Sequence, residues 1–204
     1  PREVVNSWLR RFPVIEIVGP EAVSVEQICL AHAPHYVRGI FSFKRANGFG
    51  NHDAQVAASL PYTSGSLLAA ARHALEHREN ACSPTSGFHH AGHDFAQGFC
   101  TFNGLMVTAM ALLERGDVQS IGILDCDVHY GNGTDDIVQK LGVQGIRHHT
   151  MGAHIHRSRE SDVDGSSFQA WLDGAIADCR NVDLVIYQAG ADPHINDPLG
   201  GVLT

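Results

Sequence analysis

The sequence lacks any apolar run long enough to cross a membrane, and it is poor in basic residues. Its longest apolar stretch, Gly104–Leu113, has ten residues and includes a threonine, whereas a spanning helix needs about 20 apolar residues. The 14 lysines and arginines are outnumbered by 22 acidic residues, for a net charge of −8. They form no basic cluster of the kind that binds nucleic acid. Neither a membrane nor a nucleic acid is therefore expected as a partner.

Structural cysteine patterns are also missing. The five cysteines are odd in number and include no Cys-x-x-Cys pair, so neither a disulfide framework nor a thiolate zinc site is predicted. No charged-then-apolar signal segment opens the chain, and we expect a reducing, cytoplasmic location. Charged residues make up only 18% of the 204 positions and hydrophobic residues 44%, which excludes a disordered chain. With no repeat or linker visible, residues 1–204 are interpreted as a single domain.

Helix and strand signals alternate along the chain. Caps and apolar spacing predict four helices: from Ser24 toward Val37, Ser64–His77, Phe102–Arg115 ended by Gly116, and from a Ser166 or Ser167 cap to about Cys179. Ser120–Leu124 and Asp183–Tyr187 are short and apolar on both faces, which is typical of buried parallel strands. The segment Phe41–Leu60 is predicted to be a loop, and the sequence leaves open whether it covers a pocket or is a plain connector. The alternation favours an α/β fold whose site lies where the strands end.

Polar residues follow the first of these strands at a spacing of two. Asp125, Asp127 and His129 would share one face of an extended backbone. Two carboxylates and an imidazole so close together repel or stay protonated unless a cation holds them. Oxygen and nitrogen donors of this kind suit zinc or another borderline divalent metal.

Two further stretches offer chemistry. Asp192 follows the second strand, and it would complete an Asp-His-Asp set with Asp127 and His129 if the two strands are neighbours. His89 and His90 are adjacent, so that one could move a proton while the other donates a hydrogen bond. Asp125 and Asn132 are available as partners for their far ring nitrogens.

These elements resemble, in their order, the zinc-dependent histone deacetylase family, which includes acetoin-utilisation proteins and acetylpolyamine amidohydrolases. The matching stretches are Gly87-Phe88-His89-His90-Ala91, then Gly98-Phe99-Cys100-x-Phe102-Asn103, then Leu124-Asp125-Cys126-Asp127-Val128-His129-x-Gly131-Asn132-Gly133-Thr134, and last Gly190-Ala191-Asp192-x-x-x-x-Asp197-Pro198-Leu199-Gly200-Gly201. Each motif alone is common, but the combination is highly specific and runs over most of the chain.

The resemblance implies an arginase/deacetylase-like three-layer α/β fold with a mainly parallel sheet. It implies a zinc ion held by Asp127, His129 and Asp192, which polarises the amide carbonyl and acidifies water. By the same resemblance His90 is the general base and acid, and His89 is its electrostatic partner.

The same resemblance assigns the residues around these groups. It makes Asp125 the partner of His89, and Asn132 the support of the second histidine. It also implies a channel for an acyl-lysine-like chain, lined by Phe99 beside Gly98. It further implies a potassium ion near Asp125, Asp127 and His129.

The sequence departs from the family pattern in several places. Tyr130 stands where the family has histidine or glutamine, and Arg157–Asp164 holds no aromatic residue for a second channel wall. The family continues beyond the equivalent of Thr204 to a Gly-Gly-Tyr segment, whose tyrosine donates a hydrogen bond to the oxyanion. The family's opening strand has no counterpart here either. We therefore expect a truncated domain that lacks C-terminal and N-terminal parts of the fold, with a strand edge exposed over Asp183–Tyr187 that favours a homo-oligomer.

Three functional hypotheses remain open at this point. The leading one is a metal-dependent hydrolase that removes an acetyl group from an acetylated amine, with activity impaired by the truncation. The alternative is a non-catalytic metal-binding remnant or acyl-amine-binding scaffold. An arginase-type ureohydrolase is a weaker third, because Asp-x-Asp-x-His supplies ligands for one catalytic metal and such enzymes need two.

Overall fold

A computed structural model describes residues 2–12, 14–85, 87–155, 165–199, 201 and 203. The eight helices of this part of the chain are α1 Arg2–Arg11, α2 Val25–Cys29, α3 Pro34–Phe41, α4 Ala54–His77, α5 Gly104–Arg115, α6 Asn132–Leu141, α7 Met151–Ile155 and α8 Ser166–Cys179. Its three strands are β1 Ile121–Asp125, β2 Ile146–Thr150 and β3 Leu184–Gln188. Among the described residues, no helix is both long and apolar enough to cross a membrane.

The strands form one parallel sheet in the order β2-β1-β3. In its register Asp125, the last residue of β1, lies opposite Thr150 of β2 and Gln188 of β3. The predicted α/β class and parallel sheet are therefore confirmed. β2 was not predicted, because Arg147, His148 and His149 interrupt the apolar pattern that marks a buried strand.

The core lies between the sheet and the helices α2 to α5. Ile121 and Ile123 of β1 are fully buried, and they belong to the same apolar cluster as Met106 and Leu112 of α5. Burying a side chain of this size contributes about 1.5–3 kcal/mol, so β1 is fixed firmly at the centre of the sheet. The loop that follows β1 is thereby held at a defined place.

Three predicted boundaries are corrected by the structure. The helix that begins after the Ser24 capping box ends at Cys29, and Pro34 starts a separate helix α3, in whose first turn its fixed φ and missing N–H are well accommodated. Part of the segment expected to be a loop is helical, since α4 begins at Ala54 behind the Asp53 cap. Helix α8 starts at Ser166 itself, and its N-cap is Gly165.

Strand β3 lies at one edge of the described sheet. Val185 and Tyr187 on this strand are 45% and 59% exposed. Beside them a cavity of about 390 Å³ is lined by residues of β1, β3, α8 and the loops after β1 and β3: Leu124, Cys126, Phe168, Leu172, Tyr187, Gly190 and Pro193. The association through this edge that the sequence led us to expect stays a prediction.

Candidate metal centre

The loops that leave β1 and β3 bring Asp127, His129 and Asp192 together. Because the two strands are parallel neighbours, their carboxyl ends open at the same edge of the sheet. The His129 Nδ1 atom lies 3.0 Å from Asp127 Oδ1 and 2.7 Å from Asp192 Oδ2. One ligand atom from each of the three residues lies within 4.8 Å of the others, and among the described residues this is the one such group.

Backbone hydrogen bonds hold these loops in place. The Asp127 amide donates to Asp125 Oδ1 at 3.1 Å, and the Val128 amide donates to Asp192 Oδ1 at 3.1 Å. Glycine is required at position 190, because a Cβ there would lie 2.6 Å from Asp127 Cα. The Asp192 carboxylate is thus held by the loop that carries Asp127, and Gly190 lets the loop after β3 pack closely against Asp127.

The electrostatics of the group favour a bound cation. Asp192 is 7% exposed, and burial, with Asp127 beside it, raises the pKa of this carboxyl. Two carboxylates that face a single imidazole carry excess negative charge that only a cation or a proton relieves. With two oxygen donors and one nitrogen donor, the residues present fit a divalent metal of the zinc type.

His89 is paired with a buried carboxylate. Its Nδ1 lies 2.7 Å from Asp125 Oδ2, and Asp125 has no exposed surface. Burial would lower the pKa of His89, but the hydrogen bond and charge of Asp125 outweigh it and raise that pKa. Burial likewise would raise the pKa of Asp125, but the imidazoles of His148 and His89 outweigh it and lower that pKa. The pair therefore favours a protonated His89 next to an ionised Asp125.

His90 has a neutral partner. Its Nδ1 lies 2.6 Å from Asn132 Oδ1, and the Asn132 amide donates to Gln97 Oε1 at 3.0 Å. Burial lowers the pKa of His90, and the hydrogen bond to Asn132 offsets only part of this effect. The His90 ring lies 4.1 Å from the His89 ring and 5.9 Å from the His129 ring, between centroids. Two adjacent imidazoles thus have opposite proton preferences at the edge of the Asp-His-Asp group.

Helix α6 connects this histidine pair to β1. The amides of Gly133 and Thr134 in its first turn donate to the His89 carbonyl, at 2.9 and 3.1 Å. The side chain of Asn132, the first residue of the helix, reaches His90. One turn of helix therefore positions both histidines against the loop after β1.

Phe99 lies at the rim of the site beside a glycine that contacts His90. Gly98 has a positive φ of 55°, and a Cβ on it would lie 2.4 Å from His90 Cδ2. Phe99 also has a positive φ, 63°, which is strained for a bulky residue, and it is 71% exposed. Its ring lies 5.7 Å from the ring of Phe49, which is 53% exposed.

Sequence reasoning placed Phe49 in a loop, either over a pocket or a plain connector, and gave it no role in the site. The loop is ordered by Asn47, whose side chain hydrogen-bonds Asn51 at 2.7 Å, and by the Phe99 amide, which donates to the Gly48 carbonyl at 3.1 Å. The Asn47-Gly48-Phe49-Gly50-Asn51 sequence was the available signal, since a structured turn between two asparagines presents the residue at its tip.

A second set of residues, to which sequence reasoning gave no role in the site, lies behind Asp125. The Nδ1 of His148 lies 2.6 Å from Asp135 Oδ1, and Tyr130 donates to Asp135 Oδ2 at 2.5 Å. This hydrogen bond, ahead of burial, raises the pKa of Tyr130 to about 12. The His148 Nε2 is buried without a hydrogen-bond partner and lies 4.0 Å from Asp125 Oδ2. Tyr130, the departure from the family pattern, thus binds a residue of α6 rather than the Asp-His-Asp group.

Some residues named from the sequence lie outside the described part of the chain. They are the segment 157–164, in which the sequence offers no aromatic residue for a second channel wall, and Gly200 and Thr204.

The geometry described above can be compared with known proteins. Residues 3–163 match the family profile described as Histone deacetylase domain. An uncharacterized protein of Picosynechococcus sp. is 30% identical over 212 residues, which cover 90% of this chain and 69% of that protein. The acetylpolyamine amidohydrolase of Mycoplana ramosa is 38% identical over 93 residues, which cover 46% of this chain and 26% of that enzyme.

A solved structure supports the fold. The crystal structure of an acetylpolyamine aminohydrolase from Burkholderia pseudomallei aligns with a TM-score of 0.74 at 20% identity, over 100% of this chain and 75% of that one. At this identity the likeness shows the arginase/deacetylase-like α/β fold and nothing finer.

Proposed function

The chain belongs to the histone deacetylase domain family, and from this premise we propose that it hydrolyses the amide bond of an acetylated amine. The products are acetate and the free amine. Acetyl-lysine and acetylated polyamines are the two substrate classes to compare, because one relative is named for acetylpolyamine hydrolysis.

The observation that carries the proposal is the pair of adjacent imidazoles with unlike partners. His90, whose pKa is lowered, is neutral near pH 7 and accepts a proton from the attacking water. The same nitrogen then returns the proton to the leaving amine. Asp125 accepts a hydrogen bond from Nδ1 of His89 and favours the protonated form of this ring, so that the Nε2–H of His89 can donate to the reacting carbonyl and stabilise negative charge there.

Asp127, His129 and Asp192 are proposed to hold one divalent ion, which we take to be zinc. Bound there, such an ion would supply Lewis-acid polarisation of the amide carbonyl. The support is the donor set itself, two carboxylate oxygens and one imidazole nitrogen within 4.8 Å, with the pKa of Asp192 raised where no cation offsets its charge.

The aromatic rim is proposed to receive the chain that carries the acetyl group. Phe99 and Phe49 are both exposed and in contact, and Phe99 follows the glycine that touches the His90 ring. Two aromatic faces at this place bury the methylene groups of the substrate, and they leave in solvent the peptide backbone of an acetyl-lysine or the free ammonium end of an acetylpolyamine.

The proposal is tested by hydrolysis of a fluorogenic acetyl-lysine peptide and of an acetylated polyamine by the zinc-loaded chain. Binding of a hydroxamate, which mimics the acetamide, is measured in parallel. We expect turnover of at least one substrate, abolished in His90→Ala. Hydroxamate binding without any turnover would instead identify an acyl-amine-binding protein, and neither binding nor turnover would refute the assignment of the site.

A further inference from the structure

The last turn of helix α4 places two histidines side by side. His73 and His77 are four residues apart, so their side chains share one face of the helix. Their ring centroids are 4.4 Å apart with the planes tilted by 43°. Within the described residues neither imidazole has a hydrogen-bond partner, and both side chains are accessible, at 43% and 51% exposure. Their ring nitrogens are therefore available to a ligand from solvent.

Carboxylates stand next to both rings. Glu79 Oε2 lies 3.9 Å from His73 Nε2, and Glu76 Oε2 lies 3.9 Å from His77 Nε2. Glu79 reaches back to the helix because Arg78 takes a left-handed conformation, φ 56°, and reverses the chain. The helix also ends here, where the unpaired carbonyl groups carry partial negative charge and favour a cation. Arg78 carries a positive charge at the same turn, which acts against the binding of a cation.

We propose that this turn is a second, peripheral metal site, which takes one borderline divalent ion such as copper, nickel or zinc through His73 and His77. All three ions bind imidazole. For a given nitrogen site, affinity generally rises from zinc through nickel to copper, although the geometry of the site also affects which ion is preferred. Glu79 and Glu76, each with a carboxylate oxygen 3.9 Å from a ring nitrogen, supply negative charge beside the ion rather than a ligand set of their own. Calcium and magnesium, which prefer oxygen ligands alone, are not bound. The site shares no residue with the Asp127–His129–Asp192 group.

The test is a titration of the metal-free chain with nickel, followed by calorimetry and by elemental analysis after gel filtration. Wild type is expected to bind two equivalents, one at each site. His77→Asn is expected to lose one equivalent, and the matched control His35→Asn, which removes an exposed histidine of α3, to lose none. Asparagine and histidine have similar helix propensities, and circular dichroism checks that α4 is intact.

The outcomes separate this site from the proposed active site. If His77→Asn binds as many equivalents as wild type, the α4 site is refuted. If wild type binds one equivalent that Asp127→Ala removes, the α4 site again fails and the active-site group stands. If wild type binds one equivalent that His77→Asn removes, the α4 site stands and the active-site group fails. Copper-induced broadening of the His73 and His77 imidazole resonances, absent for His35, gives a readout that does not depend on stoichiometry.

Discussion

The Nδ1 atom of His90 lies 2.6 Å from the side-chain oxygen of Asn132, a neutral group. The neighbouring His89 is paired at the same ring position with the carboxylate of Asp125. This difference in charge separates the proton preferences of two rings whose centroids are only 4.1 Å apart, because a carboxylate stabilises an imidazolium and an amide does so much less.

Asn132→Asp should therefore change the pH dependence of catalysis. A carboxylate at this position raises the pKa of His90, so the neutral base is lost at a higher pH. We expect the acid limb of kcat/KM to move upward by about 1 to 3 pH units. Asn80→Asp, which adds the same charge at an exposed position beyond α4, is the control. An acid limb that stays at its wild-type position would show that His90 is not the base.

Replacement of His90 itself should separate proton transfer from metal binding. His90→Ala removes the general base but leaves Asp127, His129 and Asp192 in place. We expect acetyl-lysine hydrolysis to fall roughly 100- to 10,000-fold, while the zinc content stays at its wild-type value. Rates are compared with the metal-free chain, and an unchanged rate above that background would remove His90 from the mechanism.

Asp127→Ala, in contrast to His90→Ala, should lower the zinc content. The loss of one of three protein ligands greatly weakens metal binding. It also leaves only one carboxylate, that of Asp192, to balance the charge of a divalent ion. Zinc bound after dialysis is measured by elemental analysis in the His77→Asn background, which removes the α4 site. Asp173→Ala, an exposed aspartate of α8, serves as the control. Equal zinc in the Asp127 variant and its parent would contradict the ligand assignment.

The aromatic rim should act on substrate binding. Phe49→Ala removes one of two rings that contact each other at 5.7 Å. Burial of a methylene group contributes about 0.8 kcal/mol, so loss of one such contact is expected to raise KM roughly fourfold with kcat nearly unchanged. Tyr62→Ala, which removes an aromatic of α4 that is 55% exposed, should leave both constants at their wild-type values. A fall in kcat alone would place Phe49 outside the binding surface.

His32 should make the fold sensitive to acid. It is fully buried, and the Asn103 amide donates to its Nε2 at 2.8 Å, so the proton is on Nδ1, which donates to the Gly92 carbonyl at 2.8 Å. Burial lowers the pKa of His32 to about 4. Between that value and the ordinary pKa of about 6.5, the unfolded chain binds a proton that the folded chain does not, and stability falls as the pH falls.

The size of this effect can be measured by urea unfolding at pH 7 and pH 4. The shift of the His32 pKa corresponds to a loss of about 3 kcal/mol in the free energy of unfolding over that range. His32→Gln should be less stable at pH 7, but its stability should fall by about 3 kcal/mol less than that of wild type on acidification. His35→Gln, at an exposed position of α3, should keep the wild-type pH dependence. Parallel pH profiles for His32→Gln and wild type would exclude this residue as the cause.

The sequence by itself determined the class of fold and the positions of two strands whose carboxyl ends are followed by polar residues. Runs that are apolar on both faces predicted β1 and β3 to within one residue, because burial on both sides leaves a local signature. The same local rules failed where burial is partial. β2 carries an arginine and two histidines, and its burial depends on partners elsewhere in the chain.

Only the tertiary structure decided which of these residues meet. Strand β3 pairs with β1, although β2 comes between them in the sequence, and this order brings Asp192 against His129. The choice of Asp125 for His89 and of Asn132 for His90 likewise depends on how α6 packs against β1. Phe49 meets Phe99 across 49 residues of intervening chain. Pattern and propensity report the environment of a segment, whereas contacts between distant segments follow from packing of the whole core.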